Sequence, residues 1–194
     1  MNKANFYKYI RISLFDNSIS TKQFEGIETI MTAFNASGFT DARYLAYMYA
    51  TVYHETAKTM QPIEEYGKGK KYDYGKKLKM SRKPYTTPDL LYYGRGYVQL
   101  TWYENYANMG KILNLPLLEH PELCLTAVVS AKIMIEGMTK GKSSFGDFTG
   151  KCLENYITKD KTDFINCRRI INGLDKAELI ASYANDFHNA LTLF

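Results

Sequence analysis

Glu55, in the run Tyr53-His54-Glu55-Thr56, and the pair Glu64-Glu65 just past Pro62 are the side chains whose spacing could do chemistry. Two carboxylates in unequal surroundings, one on a helix and one on a segment facing it, are the equipment for hydrolysing a glycosidic bond. One holds a proton for the leaving oxygen while the other activates water. At about 100° per residue, the apolar stripe Leu45, Met48, Val52 runs on to Glu55. A carboxyl is thereby placed at the margin of a buried face near its helix end. Desolvation there opposes the charged form, as a general acid requires. The residues alone leave two alternatives open. Glu55 also fits an ordinary last-turn glutamate facing water or a lysine, and Glu64-Glu65 also fits surface charge.

A further block is Tyr92-Tyr93-Gly94-Arg95-Gly96-Tyr97-Val98-Gln99-Leu100-Thr101-Trp102. Its glycines let backbone approach a ligand closely, Gln99 offers both donor and acceptor, and Thr101 is suited to holding a water. By itself the block also fits a tight turn entering a strand.

The elements that must position these groups are mainly helical. Ser20 and Gln23 have capping-box spacing ahead of Ile27, Ile30, Met31 and Phe34, and Gly38 ends that helix. A second helix starts near Thr40-Asp41 and carries the stripe Leu45, Met48, Tyr49, Val52. Residues 66–97, rich in Gly, Tyr and Lys, read as a long irregular segment with room for short strands or a hairpin. Helix resumes near Tyr103 and stops before Pro116. Another follows Pro121, apolar on several sides and so expected to be central. After a loop over 139–150, a helix is expected from Thr162 to Ile171, closed by Asn172-Gly173. The last helix is expected to start at Asp175, with Glu178 in the capping-box position, and to bury Ile180, Tyr183, Phe187 and Leu191.

Composition excludes several classes. The 194 residues fit one domain with an ample core, and no apolar run reaches the roughly 20 residues that span a bilayer. Arg11 and Asp16 interrupt the N-terminal segment, which therefore does not read as a secretory signal peptide. Synthesis in the cytoplasm is expected. The three cysteines, Cys124, Cys152 and Cys167, stand at wide spacing with no CxxC pair, so they read as buried reduced thiols. His54-Glu55 does not extend to HExxH, because Lys58 occupies the second histidine's place. His120 and His188 read as surface or capping residues. Gly94-Arg95-Gly96 lacks the third glycine of a dinucleotide fingerprint, and no phosphate-binding loop is present. No metal or organic cofactor is expected. A net charge of +5 suits an anionic partner. The lysines of 68–83 lie in one loop rather than along a helix face, which argues against nucleic acid. The same segment reads either as one wall of a cleft or as a solvated loop. The 17 tyrosines suit sugar rings and core edges alike.

Three blocks in order, HETxxTMQPIEEYG, YYGRGYVQLTWYENY and RRIINGLDKAELI, together with the LAYM helix, resemble the glycoside hydrolase family 19 chitinases and their phage endolysin relatives. The phage-type subset is the more similar. The resemblance implies a lysozyme-like helical domain, mainly α, over residues 1–194, with 66–97 as a loop-rich or small hairpin lobe flanking a substrate cleft. It implies Glu55 as general acid, Glu65 (with Glu64 as the alternative) as general base, and Thr101 as a holder of the attacking water. It further implies sugar contacts from His54, Tyr93, Gln99, Asn105 and Asn172, and a structural or substrate role for Arg95. The reaction implied is inversion, with the two carboxyl groups roughly 6.5–9.5 Å apart. Ala57-Lys58 and Glu104 depart from the plant pattern, and three scattered cysteines cannot form the plant disulfides. These departures favour peptidoglycan over chitin as the polymer, acted on by a monomer released to the wall by a holin or another non-secretory route. A catalytically silent wall-binding module is the competing reading.

Overall fold

The structure, a computed structural model, describes residues 2–68, 91–141 and 148–192. Its elements are α1 (Lys3–Ser13), α2 (Thr21–Ala36), α3 (Ala42–Glu55), β1 (Ile63–Glu64), β2 (Arg95–Gly96), α4 (Tyr103–Leu113), α5 (Ala127–Met138), α6 (Phe164–Cys167) and α7 (Ala177–Thr192). Tight 3₁₀ turns lie at Pro121–Leu125, Leu153–Asn155 and Arg168–Ile170. Most of the lysine- and tyrosine-rich stretch, with its proposed cleft wall, lies outside the described residues, as does the middle of the 139–150 loop.

The helix starts follow from local chemistry. Ser20 Oγ accepts from the Gln23 amide and the Gln23 side chain accepts from the Ser20 amide, so both halves of the expected capping box form. Asp41 caps α3 by accepting from Arg43 N. The α1 helix is one for which the sequence reading assigns no element. Asn2 caps it through Ala4 N and Asn5 N, yet it buries only Phe6 and Ile10, too thin a stripe for periodicity to reveal.

Two expectations are corrected in the C-terminal third. The helix expected over 162–171 is only α6, followed by the 3₁₀ turn Arg168–Ile170. The last helix begins at Ala177 rather than Asp175, because Lys176 takes a left-handed φ of 55° and the Asp175 carbonyl is already bound by Arg168 Nε at 2.9 Å. Within α7, Ile180 and Phe187 are fully buried, whereas Tyr183 is half-buried at the edge of the core.

The central helix is α3 rather than α5. Every residue from Tyr44 to Tyr53 is buried, so the apolar stripe is one part of a helix enclosed on all sides. α7 lies along it, α2 and α5 cover other faces, and α5 leaves Val128 exposed. Tyrosines build much of this interior. Tyr53 and Tyr183 rings meet edge to face at 4.8 Å, and Tyr49 packs on Phe187 at 5.1 Å. A buried hydroxyl is costly without a partner, and main-chain carbonyls accept from Tyr49, Tyr53 and Tyr106, the last donating to Tyr93 O at 2.8 Å. Tyr49 donates to Ile27 O at 3.0 Å and Tyr53 to Leu14 O. The tyrosine excess thus serves the core first. Cys124, Cys152 and Cys167 are buried free thiols, and burial pushes the Cys124 thiol up to about 12. No helix among the described residues is long and apolar enough to cross a membrane.

After α3 the chain reverses through Ala57, Lys58 and Met60, all at positive φ. The turn is clamped to α2 by Gln23 Nε2 to Lys58 O at 3.0 Å and Gln61 Nε2 to Lys22 O at 2.5 Å. Gly26 makes this contact possible, since a Cβ there would lie 1.8 Å from Met60 O. Gly26→Ala is expected to cost about 1–3 kcal/mol by pushing α2 off the turn. The check is a lower urea midpoint at an unchanged slope.

Candidate active site

Glu55 is the last residue of α3, with a side chain 16% exposed. Its Oε1 accepts from Arg168 Nη1 at 2.6 Å, and the Arg168 side chain is only 3% exposed. The sequence reading expects a carboxyl set against apolar surroundings. The structure instead sets a buried guanidinium against it, delivered by the tight turn after α6. Arg168 is held in turn by its Nε bond to Asp175 O. Pairing answers the desolvation of both charges, and the two-point hold on the arginine fixes where the carboxylate sits.

The opposite bank comes from residues 91–102. β2 pairs antiparallel with β1, Ile63 opposite Gly96 and Glu64 opposite Arg95. The chain then folds back at once, with Arg95 and Leu100 exchanging main-chain bonds of 3.2 and 2.9 Å. So tight a reversal demands unusual backbone. Gly96 has φ 86°, and Gln99 and Trp102, neither a glycine, have φ 53° and 77°. A Cβ on Gly94 would meet Gln99 Oε1 at 2.8 Å, and one on Gly96 would meet Ser130 Oγ at 2.6 Å. The glycines therefore serve close packing of the loop on itself and on α5.

Gln99 Nε2 donates to Ile63 O at 3.0 Å and to Gly96 O at 3.1 Å, tying the loop to β1. Thr101 Oγ1 donates to Gln99 O at 2.7 Å, which leaves its lone pairs able to accept from a water. Asn105 Nδ2 donates to Thr101 O at 2.9 Å. Glu55, Gln99, Thr101, Asn105 and Asn172 all line one cleft of about 300 Å³. Trp102, Phe148 and Ile171 give it apolar patches.

The other candidate residues stand outside that lining. Glu64 accepts from Tyr93 OH at 2.7 Å, pairs with Lys68 at 3.0 Å and lies 3.9 Å from Arg95 Nε. The Tyr93 hydroxyl foremost, with Lys68 and Arg95, holds its carboxyl below the usual range. Glu65 leaves the ribbon differently. Its amide donates to Gly94 O at 2.8 Å, and its Oε2 accepts from Gly94 N at 3.0 Å. Arg95 is 5% exposed, stacks 3.7 Å over the Tyr93 ring, and donates to Leu91 O and Tyr106 OH. Its contacts are internal and brace the 91–106 segment. His54 is half-buried, and desolvation lowers its pKa, so near neutrality its imidazole is uncharged.

Arg168 is the principal residue missed from sequence. It lies in a quoted block, but no spacing argument links it to a glutamate 113 residues away. Trp102 and Phe148 were missed as well. A tryptophan in the 92–102 block is an available signal, whereas Phe148 sits in a loop without any. Among the described residues, no group of three or more His, Cys, Asp or Glu side chains is placed to hold a metal ion.

Solved chitinases share this fold. The structure of chitinase C from Streptomyces griseus HUT6037 superposes with a TM-score of 0.64 at 23% identity, covering 98% of this chain and 76% of that one. A bacterial family 19 chitinase superposes with a TM-score of 0.62 at 21% identity, covering 98% of this chain and 94% of the other. Among curated proteins, an endochitinase of Arabidopsis thaliana is 54% identical over 37 residues, which is 19% of this chain and 13% of that protein. The inactive chitinase-like protein 1 of Hevea brasiliensis is 47% identical over 49 residues, 25% of this chain and 16% of that protein. The matched stretches thus span less than a fifth of either plant protein. The profile of the chitinase class I family matches residues 5–144. The chain belongs to glycoside hydrolase family 19.

Proposed function

We propose that the protein hydrolyses β-1,4 bonds between amino sugars by inversion, with Glu55 as general acid and Glu65 as general base. The observation that carries this reading is the convergence of Glu55, Gln99, Thr101, Asn105 and Asn172 on one cleft from three separate stretches of chain. Glu55 protonates the leaving oxygen. As its proton moves, the contact with Arg168 passes between hydrogen bond and ion pair, and the buried guanidinium steadies the carboxylate that remains. Thr101 accepts from the attacking water, and Asn105 fixes the Thr101 main chain. Glu65 suits the base because one oxygen is fixed by the Gly94 amide, while Glu64 has both oxygens engaged by Tyr93 and Lys68. Glu65→Gln is expected to lower turnover on the order of 10²–10⁴-fold with the melting temperature kept. Glu64→Gln should act mainly through loosening of Tyr93. Equal losses in both variants would withdraw the assignment of the base.

The substrate favoured is bacterial peptidoglycan, cut by an endolysin-like enzyme. Support comes from the basic charge and from three cysteines that remain buried thiols instead of wall-facing disulfides. Chitin is the second reading, favoured by the names of the similar proteins. Digestion of purified sacculi and of chitin hexamer in parallel, with new reducing ends read by mass spectrometry, decides between them. One relative is named inactive, so family membership by itself does not carry turnover. Release of no reducing ends from either polymer, with retention on sacculi, would make this chain a wall-binding module.

A further inference from the structure

We propose that the groove between α1 and the start of α2 is a second glycan-binding site, which holds a carboxylate-bearing sugar strand away from the cleft. The ligand class rests on the peptidoglycan reading above. The groove encloses about 700 Å³ and is lined by Tyr7, Lys8, Arg11, Ile19, Thr21 and Phe24 among others, none of which lines the catalytic cleft.

Three observations meet there. Phe24 is 45% exposed, yet its ring is propped from one side by Tyr7, with centroids 4.9 Å apart and planes at 37°. A ring fixed on one face and open on the other offers a platform for the C–H face of a pyranose. Lys8 and Arg11 stand one helical turn apart on α1 and both face the groove. Neither side chain has an ion pair or hydrogen bond among the described residues, whereas their neighbour Lys3 is paired to Glu28 at 2.6 Å. Glu28 also accepts from Tyr7 OH at 2.8 Å, so that carboxylate is engaged by Lys3 and Tyr7 and not by either groove cation.

This combination selects its occupant. An apolar helix or a second copy's apolar face would bury Lys8 and Arg11 without counter-charge, at a high desolvation cost. A neutral sugar chain would use the ring alone. An acidic sugar strand uses both, with its ring on Phe24 and its carboxylate at the cations. The site is also fixed relative to the catalytic residues. The two glutamine bonds, Gln23 to Lys58 O and Gln61 to Lys22 O, clamp its α2 wall to the turn between Glu55 and β1. A strand held here is held at a set position from the cleft.

The test uses the full chain. In a Glu55→Gln background, co-sedimentation with purified sacculi is measured for the parent, for Lys8→Gln with Arg11→Gln, and for Phe24→Leu. Each set is expected to weaken binding about tenfold, and the charge variant's deficit is expected to shrink in high salt. The same substitutions in the otherwise unaltered chain should leave hydrolysis of a short soluble oligosaccharide unchanged. Sacculus binding equal to the parent's would overturn the site, as would an equal loss by the charge variant on neutral chitin beads. Retardation of duplex DNA that depends on Lys8 and Arg11 as strongly as sacculus binding does would also overturn it, in favour of a phosphate polymer. If the parent digests chitin but not sacculi while Lys8 and Arg11 still control pelleting, the substrate reading falls and the groove stands.

Discussion

Glu55→Gln is expected to reduce release of reducing ends on the order of 10²–10⁴-fold while the folded state survives nearly intact. The survival follows from the contact at this position. Glutamine keeps the shape and an oxygen that can accept from Arg168 Nη1, as Glu55 Oε1 now does at 2.6 Å. What it lacks is a proton it can give up. The measurement pairs a thermal melt with reducing-end assays on sacculi and chitin hexamer. Turnover at the parent rate on either polymer would remove Glu55 from the mechanism, whatever the family resemblance.

Arg168→Met is expected to have the largest effect on stability. The side chain is 3% exposed and opposes a carboxylate that is 16% exposed, so its removal leaves Glu55 without its partner. Breaking such a pair costs about 3–5 kcal/mol, and turnover should fall as well because nothing then fixes the carboxylate. Arg168→Lys restores the charge but cannot at once reach Glu55 and the Asp175 carbonyl, so recovery should be partial. The double variant Glu55→Gln, Arg168→Met should be less destabilised than the sum of the two single changes. Strict additivity in chemical denaturation would show that the pair does not couple.

These two residues mark the reach of the sequence. Glu55 was legible because helical periodicity places it at the end of a patterned element, and because its block is one of three in order. The start of α2 was legible for a similar reason, since a capping box is a local bond pattern written in four consecutive residues. Arg168 was not, because its role depends on how α6 and the 3₁₀ turn lie against α3, and no local rule encodes that. The same limit applies to the expected 162–171 helix. Its residues have helical pattern, but the Arg168 bonds to Glu55 and Asp175 favour a tighter turn. Sequence also could not divide the labour of Glu64 and Glu65. Their difference lies in Tyr93 and Gly94, brought alongside by a two-residue ribbon too short to leave an alternating signature.

On the proposed function, the enclosure of α3 bears on how a polymer is accommodated. Glu55 is mounted at the end of a helix buried from Tyr44 to Tyr53 and anchored by ring contacts and by tyrosine hydrogen bonds to neighbouring backbone. Thr149 and Asn172, which also line the cleft, sit at the surface on short connections. On the proposed mechanism, any widening for a bulky branch on the sugar chain therefore falls to those connections rather than to the enclosed helix that carries Glu55.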